Sequence, residues 1–116
     1  MLSKFILGIV LCAAPAVAVA QEVKCAIKVK YVCEASGCNP VPAKVWSVVD
    51  ITAKTYARCD AKGCDTYGAK LSTSGAFLNI DIPDRGVIAK MSSDGSSFHE
   101  VATLGHSIFV SFGSCK

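Results

Sequence analysis

Alternation of apolar and polar residues defines the most regular stretch of the chain, which runs from Val23 to Cys33. The odd positions in this stretch are Val, Cys, Ile or Tyr, whereas Lys24, Lys28 and Lys30 stand on even positions. A period of two sends successive side chains to opposite faces of an extended strand. The pattern therefore predicts a strand with one buried face and one face that carries a row of lysines.

Short stretches of strand composition continue along the chain and are separated by turn residues. They lie at 44–52, 55–59, 64–71, 76–82, 86–92, 98–104 and 106–113. Pro40 and Pro42 are expected to break the sheet or to lie at its edge, because proline cannot donate a ladder hydrogen bond. No segment of ten or more residues shows a helical period. The sequence therefore predicts an all-β fold, a small antiparallel β-barrel or sandwich of seven to eight short strands.

The first twenty residues have the composition of an export signal. Lys4 provides a positive n-region, an apolar run follows it, and Ala18-Val19-Ala20 forms a small-residue cleavage box. This order is typical of a secretory signal peptide. We therefore expect a signal peptide at 1–20, cleavage before Gln21, a single domain at 21–116, and a periplasmic or secreted protein.

Charge and hydropathy narrow the classes of partner. The net charge of +3 falls to +2 when Lys4 leaves with the signal peptide, and this bias is too small to favour nucleic acid. No later stretch is long and apolar enough to predict a membrane span of about 20 residues. Lipid attachment at Cys12 is left open, although Leu11 stands where a lipoprotein has a small residue.

Six cysteines remain after the signal peptide, and an even number in a small exported domain indicates three disulfides. Two C-x4-C units have a glycine just before their second cysteine, as a tight hairpin loop requires. We therefore expect two local disulfides and a third that joins the ends of the domain, which favours a barrel over a sandwich. Four thiolates on zinc are the alternative, which an oxidising compartment disfavours. The predicted pairs are Cys33–Cys38, Cys59–Cys64 and Cys25–Cys115.

The chain offers little that points to catalysis. His99-Glu100 begins like a zinc-protease H-E-x-x-H motif, but Thr103 stands where the second histidine belongs. His99 and His106 are the only histidines and are expected to be solvated. We therefore predict no enzymatic activity, no cofactor and no metal. The lysine row is expected to be a solvated sheet face, with contact to an anionic partner such as a cell-wall polymer as the alternative.

Two turns place serine and glycine close to an aromatic residue, and they carry a resemblance to a known family. Ser92-Ser93-Asp94-Gly95-Ser96-Ser97-Phe98 and Ser72-Thr73-Ser74-Gly75-Ala76-Phe77 are similar to the Ser-x-Ser-Gly-x-x-Tyr loop of the bacterial periplasmic and membrane-bound inhibitors of C-type lysozyme. The first turn keeps the spacing but has Asp94 and Phe98 in place of serine and tyrosine. The second keeps both serines and the glycine, but its aromatic residue comes one position early.

The resemblance extends to the plan of the chain, because that family also has one cysteine in the first strand and another near the C-terminus. The C-x4-C loops are not part of that family's pattern. The resemblance implies a small exported β-barrel whose loop enters the lysozyme cleft and hydrogen-bonds the catalytic carboxylates. The expected function is therefore that of a non-enzymatic envelope protein, most concretely an inhibitor of C-type lysozyme. The alternative is a structural, solute-binding or cell-wall-binding envelope protein without inhibitory activity, and the oligomeric state stays open. The implied partner-binding residues are Ser92, Asp94, Gly95 and Phe98, with Ser72, Ser74 and Gly75 as the second set.

Overall fold

A computed structural model describes residues 21–116, and the predicted signal peptide lies outside these described residues. Within these described residues, ten strands follow one another, and Pro83–Arg85 forms one turn of 3-10 helix before the eighth strand. The strands are β1 (Glu22–Glu34), β2 (Gly37–Val41), β3 (Trp46–Asp50), β4 (Thr55–Asp60), β5 (Gly63–Gly68), β6 (Lys70–Ser74), β7 (Phe77–Ile82), β8 (Val87–Ser92), β9 (Phe98–Leu104) and β10 (Ser107–Cys115).

All ten strands belong to one antiparallel sheet. Their order is β5-β4-β3-β1-β10-β9-β8-β7-β6, and β2 pairs with the second half of β1. The two outermost strands, β5 and β6, are separated only by Ala69, so that consecutive halves of one segment pair with β4 and with β7. This continuity curls the sheet into a nearly closed barrel. The prediction of an all-β barrel is confirmed.

Three disulfides hold the barrel, and their pairing matches the prediction. Cys25 in β1 faces Cys115 in β10 with 3.9 Å between the Cα atoms, so the first and last strands are joined covalently. The two local bridges have Cα atoms 4.0 Å apart. Gly37 and Gly63, which precede the second cysteine of each hairpin, have φ of 134° and 141°, a region that favours glycine. Three disulfides are compatible with a location outside the reducing cytoplasm.

The strand boundaries differ from the prediction at two places, which raises the number of strands to ten. Gly37–Val41 is an edge strand in which Pro40 lies opposite Tyr31, because an edge tolerates a residue that has no N–H to donate. The predicted strand at 64–71 is divided at Ala69, and its second half continues through Ser74. The turn that was expected at Ser72–Gly75 is therefore confined to Gly75 and Ala76.

A β-bulge in β1 changes the side on which its residues lie. Cys25 and Ile27 are buried, but the register with β10 shifts between Ile27 and Val29. An extra residue at a bulge inverts the alternation that follows it. Val29 is therefore exposed, and Lys30 pairs with the buried Ser111 on the inner side of the barrel. The expectation that Lys24, Lys28 and Lys30 share one face of the strand is therefore wrong for Lys30.

The interior is filled by apolar side chains from both halves of the sheet, and Tyr56 and Phe98 are its largest fully buried members. Trp46 is half-buried, and the ammonium of Lys24 lies 5.0 Å from its ring centroid. Within residues 21–116, no helix has the length and hydropathy needed to cross a membrane. The core consists of Cys25, Ile27, Val49, Tyr56, Ile80, Ile82, Val87, Ala89, Met91, Phe98, Ala102 and Cys115.

Candidate functional site

The turn between β8 and β9 is organised around the carboxylate of Asp94. Its Oδ1 accepts hydrogen bonds from Ser92 Oγ at 2.8 Å, from the Ser96 backbone N–H at 2.9 Å and from Ser96 Oγ at 2.7 Å. These donors, the Ser96 N–H first among them, lower the pKa of Asp94 to about 2. Asp94 is exposed, so the turn presents a charged carboxylate in a fixed position.

Gly95 anchors the same turn to the end of the barrel. Its carbonyl accepts a hydrogen bond from the Cys115 N–H at 2.7 Å, and its φ is 77°. A Cβ at this position would lie 2.6 Å from the Cys115 carbonyl oxygen. Gly95 is therefore required by the close approach of two backbones, beside the disulfide that closes the domain.

The two turns singled out by the sequence lie side by side. The Ser93 N–H donates to the Ala76 carbonyl at 2.7 Å, and Phe77 is the cross-strand partner of Ser92. The amide of Asn79 donates to Ser74 Oγ at 3.1 Å, which orients the second turn. The turns therefore form one surface rather than two alternatives. We call it the turn surface, and it consists of Ser74, Gly75, Phe77, Ser92, Asp94 and Ser96.

The aromatic residue at the family spacing does not belong to the turn surface. Phe98 is 1% exposed and lies in the core, because it begins β9 on the inner side and pairs with Met91. A partner cannot reach its ring, so the expectation that Phe98 contacts a partner is wrong. Phe77 is 37% exposed and lies beside Ser92, so it is the aromatic residue that the surface offers. Ser72 is exposed on β6, within 3.5 Å of the Asn79 amide nitrogen.

A polar cavity opens in the barrel wall away from the turn surface, where β3 begins and β4 ends. Its volume is about 190 Å³. Charged side chains of both signs line it, together with two buried serines. The lining residues include Lys30, Ser47, Arg58, Asp60, Asp65, Glu100 and Ser111, with Ile27, Val45 and Trp46 as apolar neighbours.

Glu100 is the buried charge of this cavity. It is 3% exposed, its Oε1 lies 3.2 Å from Arg58 Nη2, and its Oε2 accepts a short hydrogen bond from the Tyr56 hydroxyl. Ser47 Oγ lies 2.9 Å from the same hydroxyl. Tyr56 has a single proton, which goes to the carboxylate because a carboxylate can only accept, so Ser47 donates to Tyr56. Both oxygens of Glu100 are therefore partnered, as a buried charge requires.

The pKa of Tyr56 is raised far above its ordinary value of 10.0, first by burial and then by the negative charge of Glu100. Tyr56 therefore stays protonated in the folded protein at pH values where an unfolded chain has lost the proton. The contribution of this tyrosine to stability is complete below pH 10 and decreases as the pH rises above it.

We expect the free energy of unfolding to fall above pH 10 by about 1.4 kcal/mol per pH unit more in the wild type than in Tyr56→Phe. Urea denaturation of both proteins between about pH 8 and about pH 11 measures this slope. The Tyr56→Phe variant is the control, because its lysines and its other tyrosines titrate as they do in the wild type. Parallel pH profiles would contradict the assignment of a protonated Tyr56 at high pH.

The histidines do not form a site. His99 lies on the outer face with its ring centroid 6.4 Å from that of Phe112, and His106 is exposed in the turn before β10. In the part of the chain that the structure describes, no three His, Cys, Asp or Glu side chains are placed to hold a metal ion. The expectation that the protein is not an enzyme stays a prediction.

Sequence reasoning missed the network of Glu100, Arg58 and Tyr56. A signal for Glu100 was present, because it alternates with Phe98 and Ala102 in the inward register of β9. A charge in an apolar register implies a buried partner. No signal indicated the partners, because they come from β4, which is not a neighbour of β9 in the sheet.

Comparison with known proteins gives no assignment. No protein-family model, no curated protein and no solved structure matches the chain.

Proposed function

We propose that the protein is exported to the periplasm or secreted, and that it acts there without catalysis as a binding protein of the cell envelope. Its most concrete activity is inhibition of C-type lysozyme. The observation that carries this proposal is the contact between the two turns, with Ser93 N donating to Ala76 O at 2.7 Å. Their contact produces one surface with hydroxyl groups, a hydrogen-bonded carboxylate and an exposed aromatic ring.

The chemistry of the turn surface suits an enzyme cleft that contains both carboxylates and basic side chains. The hydroxyl of Ser74 accepts a hydrogen bond from Asn79, so its proton is free for a carboxylate of the partner. Phe77 supplies apolar area next to it. Asp94 is ionised at neutral pH, since its pKa is held at about 2. Two carboxylates repel each other at short range, so Asp94 pairs with basic residues at the border of the cleft rather than with the catalytic pair.

Inhibition of a C-type lysozyme by the purified protein tests the proposal. We expect Phe77→Ala to weaken inhibition about 30-fold, as for a residue that dominates an interface, and Asp94→Ala about tenfold. Asp60→Ala is the matched control for the second variant, because Asp60 is also exposed and accepts a backbone hydrogen bond, from Lys62 N at 2.8 Å, but lies in the β4–β5 hairpin. Phe112→Ala is the control for Phe77→Ala, because Phe112 is also an exposed phenylalanine but lies on β10, outside the turn surface.

The outcomes separate the turn surface from other possibilities. Loss of inhibition in both turn variants with unchanged controls supports the proposal. Equal loss in the controls would place the interface elsewhere on the barrel. Absence of inhibition by the wild type at micromolar concentration would exclude lysozyme as the partner.

The second candidate function is binding of a small polar solute in the cavity, and the ion pair between the buried Glu100 and the half-buried Arg58 favours it. The bulge in β1 directs Lys30 to the same cavity, where Asp65 provides charge of the opposite sign. Such a cavity suits a small zwitterion. Titration with the free amino acid alanine, followed by NMR, should shift the backbone amide resonances of Lys30 and Glu100 in the wild type. The same titration of Lys30→Met should leave its amide resonances unchanged. Unchanged spectra would exclude this solute class.

A further inference from the structure

The outer face of four neighbouring strands, β1, β10, β9 and β8, has an unusual composition. Cross-strand register places its residues in two rows, Val29–Phe112–His99–Lys90 and Tyr31–Val110–Val101–Ile88. Lys24, Ala26 and Lys28 precede these rows on β1. We call this region the lysine face. Apolar residues, lysines and a histidine compose it, and the acidic residues of β1, Glu22 and Glu34, lie at the two ends of that strand.

Large apolar side chains of the lysine face are exposed. Val29 is 41% exposed, Phe112 47% and Ile88 61%. Val29 and Phe112 are cross-strand partners on β1 and β10. Ile88 lies on β8, and the half-buried Val110 and Val101 connect it with them across β10 and β9. Contiguous apolar area on a monomer commonly marks an interaction surface.

Three lysines surround an apolar groove at one end of the same face. Lys24, Lys28 and Lys116 line it together with Ala26 and Ser114. Lys24 and Lys116 exchange backbone hydrogen bonds of 3.0 and 2.9 Å, which brings two ammonium-bearing residues to opposing positions. Within residues 21–116, the one ion pair joins Arg58 to Glu100 on the inner side of the barrel. The three ammonium groups are therefore not neutralised by carboxylate side chains.

We propose that the lysine face docks on the surface of an anionic phospholipid bilayer. Lysines near such a surface are attracted to the headgroup phosphates, and apolar side chains enter the boundary between headgroups and acyl chains. A face with both features matches a membrane surface better than a charged polymer, because a polymer leaves Val29, Phe112 and Ile88 in water. This docking surface shares no residue with the turn surface, although the two adjoin where the Lys90 ammonium lies 5.6 Å from the Phe77 ring centroid.

Co-sedimentation with vesicles measures the charge dependence of docking. We expect binding to vesicles that contain phosphatidylglycerol and no binding to phosphatidylcholine alone. Replacing Lys24, Lys28 and Lys116 together by glutamine should weaken binding on the order of a hundredfold. The matched control replaces Lys44, Lys54 and Lys62, which are also exposed and change the net charge equally. An equal loss in the control would overturn the proposal, because net charge alone would then explain binding.

The apolar contribution distinguishes a lipid surface from a polyanion. Phe112→Ser and Ile88→Ser should each weaken vesicle binding about tenfold at constant charge, because each removes apolar area that enters the interface. Leu104→Ser is the control, since Leu104 is exposed at the end of β9 outside the lysine face. Thermal unfolding of each variant confirms that it is folded. Unchanged binding of both variants, or tighter binding of the wild type to heparin than to vesicles, would overturn docking on lipid.

Discussion

Replacing Cys25 and Cys115 together by alanine is expected to lower the free energy of unfolding by about 4 to 5 kcal/mol. The bridge joins residues 90 positions apart, and the loop-closure entropy that it removes from the unfolded chain grows with loop length. Cys25 in β1 and Cys115 in β10 are both buried in the core, so alanine avoids placing a hydroxyl group there. Denaturant unfolding of the oxidised proteins measures the difference.

The two local bridges provide the comparison, because each closes a loop with a separation of only 5 residues. The same model gives about 2 kcal/mol for such loops. Cys33→Ala with Cys38→Ala is the cleaner control, since Cys38 is exposed and Cys33 is half-buried. Equal losses in the two double variants would contradict a dominant role of the bridge between first and last strands.

The fold could be predicted because its main determinants are local in the sequence. Period-two alternation identified the strands, and the glycine in each C-x4-C unit identified the hairpins and their disulfides. The two local pairs left Cys25 and Cys115 for each other, which brought the chain ends together. Pro40 indicated a break in the sheet or a position at its edge. The strand that contains Pro40 was not predicted, although an edge strand tolerates a residue without a backbone N–H.

The orientation of side chains beyond the bulge could not be predicted. A bulge depends on how β1 fits against β10, and nothing in the sequence of β1 interrupts its alternation. Lys30 was therefore expected outside and lies inside. Phe98 was expected at the surface because the family spacing placed it there, but its position on the inner side of β9 decides its burial.

The candidate site combines residues that are distant in sequence, and this explains why the sequence left two turns as rivals. Their contact follows from the pairing of β7 with β8, which sets Phe77 against Ser92. The hydrogen bonds of Asp94, in contrast, are local, since its partners Ser92 and Ser96 are two residues away on either side. The turn chemistry was therefore recognisable from the sequence, whereas the surface formed by both turns required the sheet.

The bulge in β1 leads to a second large stability effect, at Gly113 in β10. Gly113 lies opposite Ile27, where the extra residue brings the β1 backbone close to β10. A Cβ at this position would lie 1.8 Å from the Ala26 carbonyl oxygen and 3.1 Å from Ile27 Cα. Both contacts are to backbone atoms, so no side-chain rotation can relieve them. We expect Gly113→Ala to lower the free energy of unfolding by about 3 kcal/mol, at the upper end of overpacking costs.

Gly68→Ala is the matched control for this substitution. Gly68 ends β5, its φ is not positive, and a Cβ there would meet no atom within 4 Å. We expect this variant to be unchanged or more stable by about 0.5 kcal/mol, because alanine reduces the entropy of the unfolded chain. Urea denaturation of both variants decides the comparison.

Because strand separation at Gly113 would also displace the bulge, the amide resonance of Lys30 should shift in Gly113→Ala and stay in place in Gly68→Ala. If Gly113→Ala had the same free energy of unfolding as the wild type, β1 and β10 would separate at the bulge without loss of stability, which would contradict the prediction.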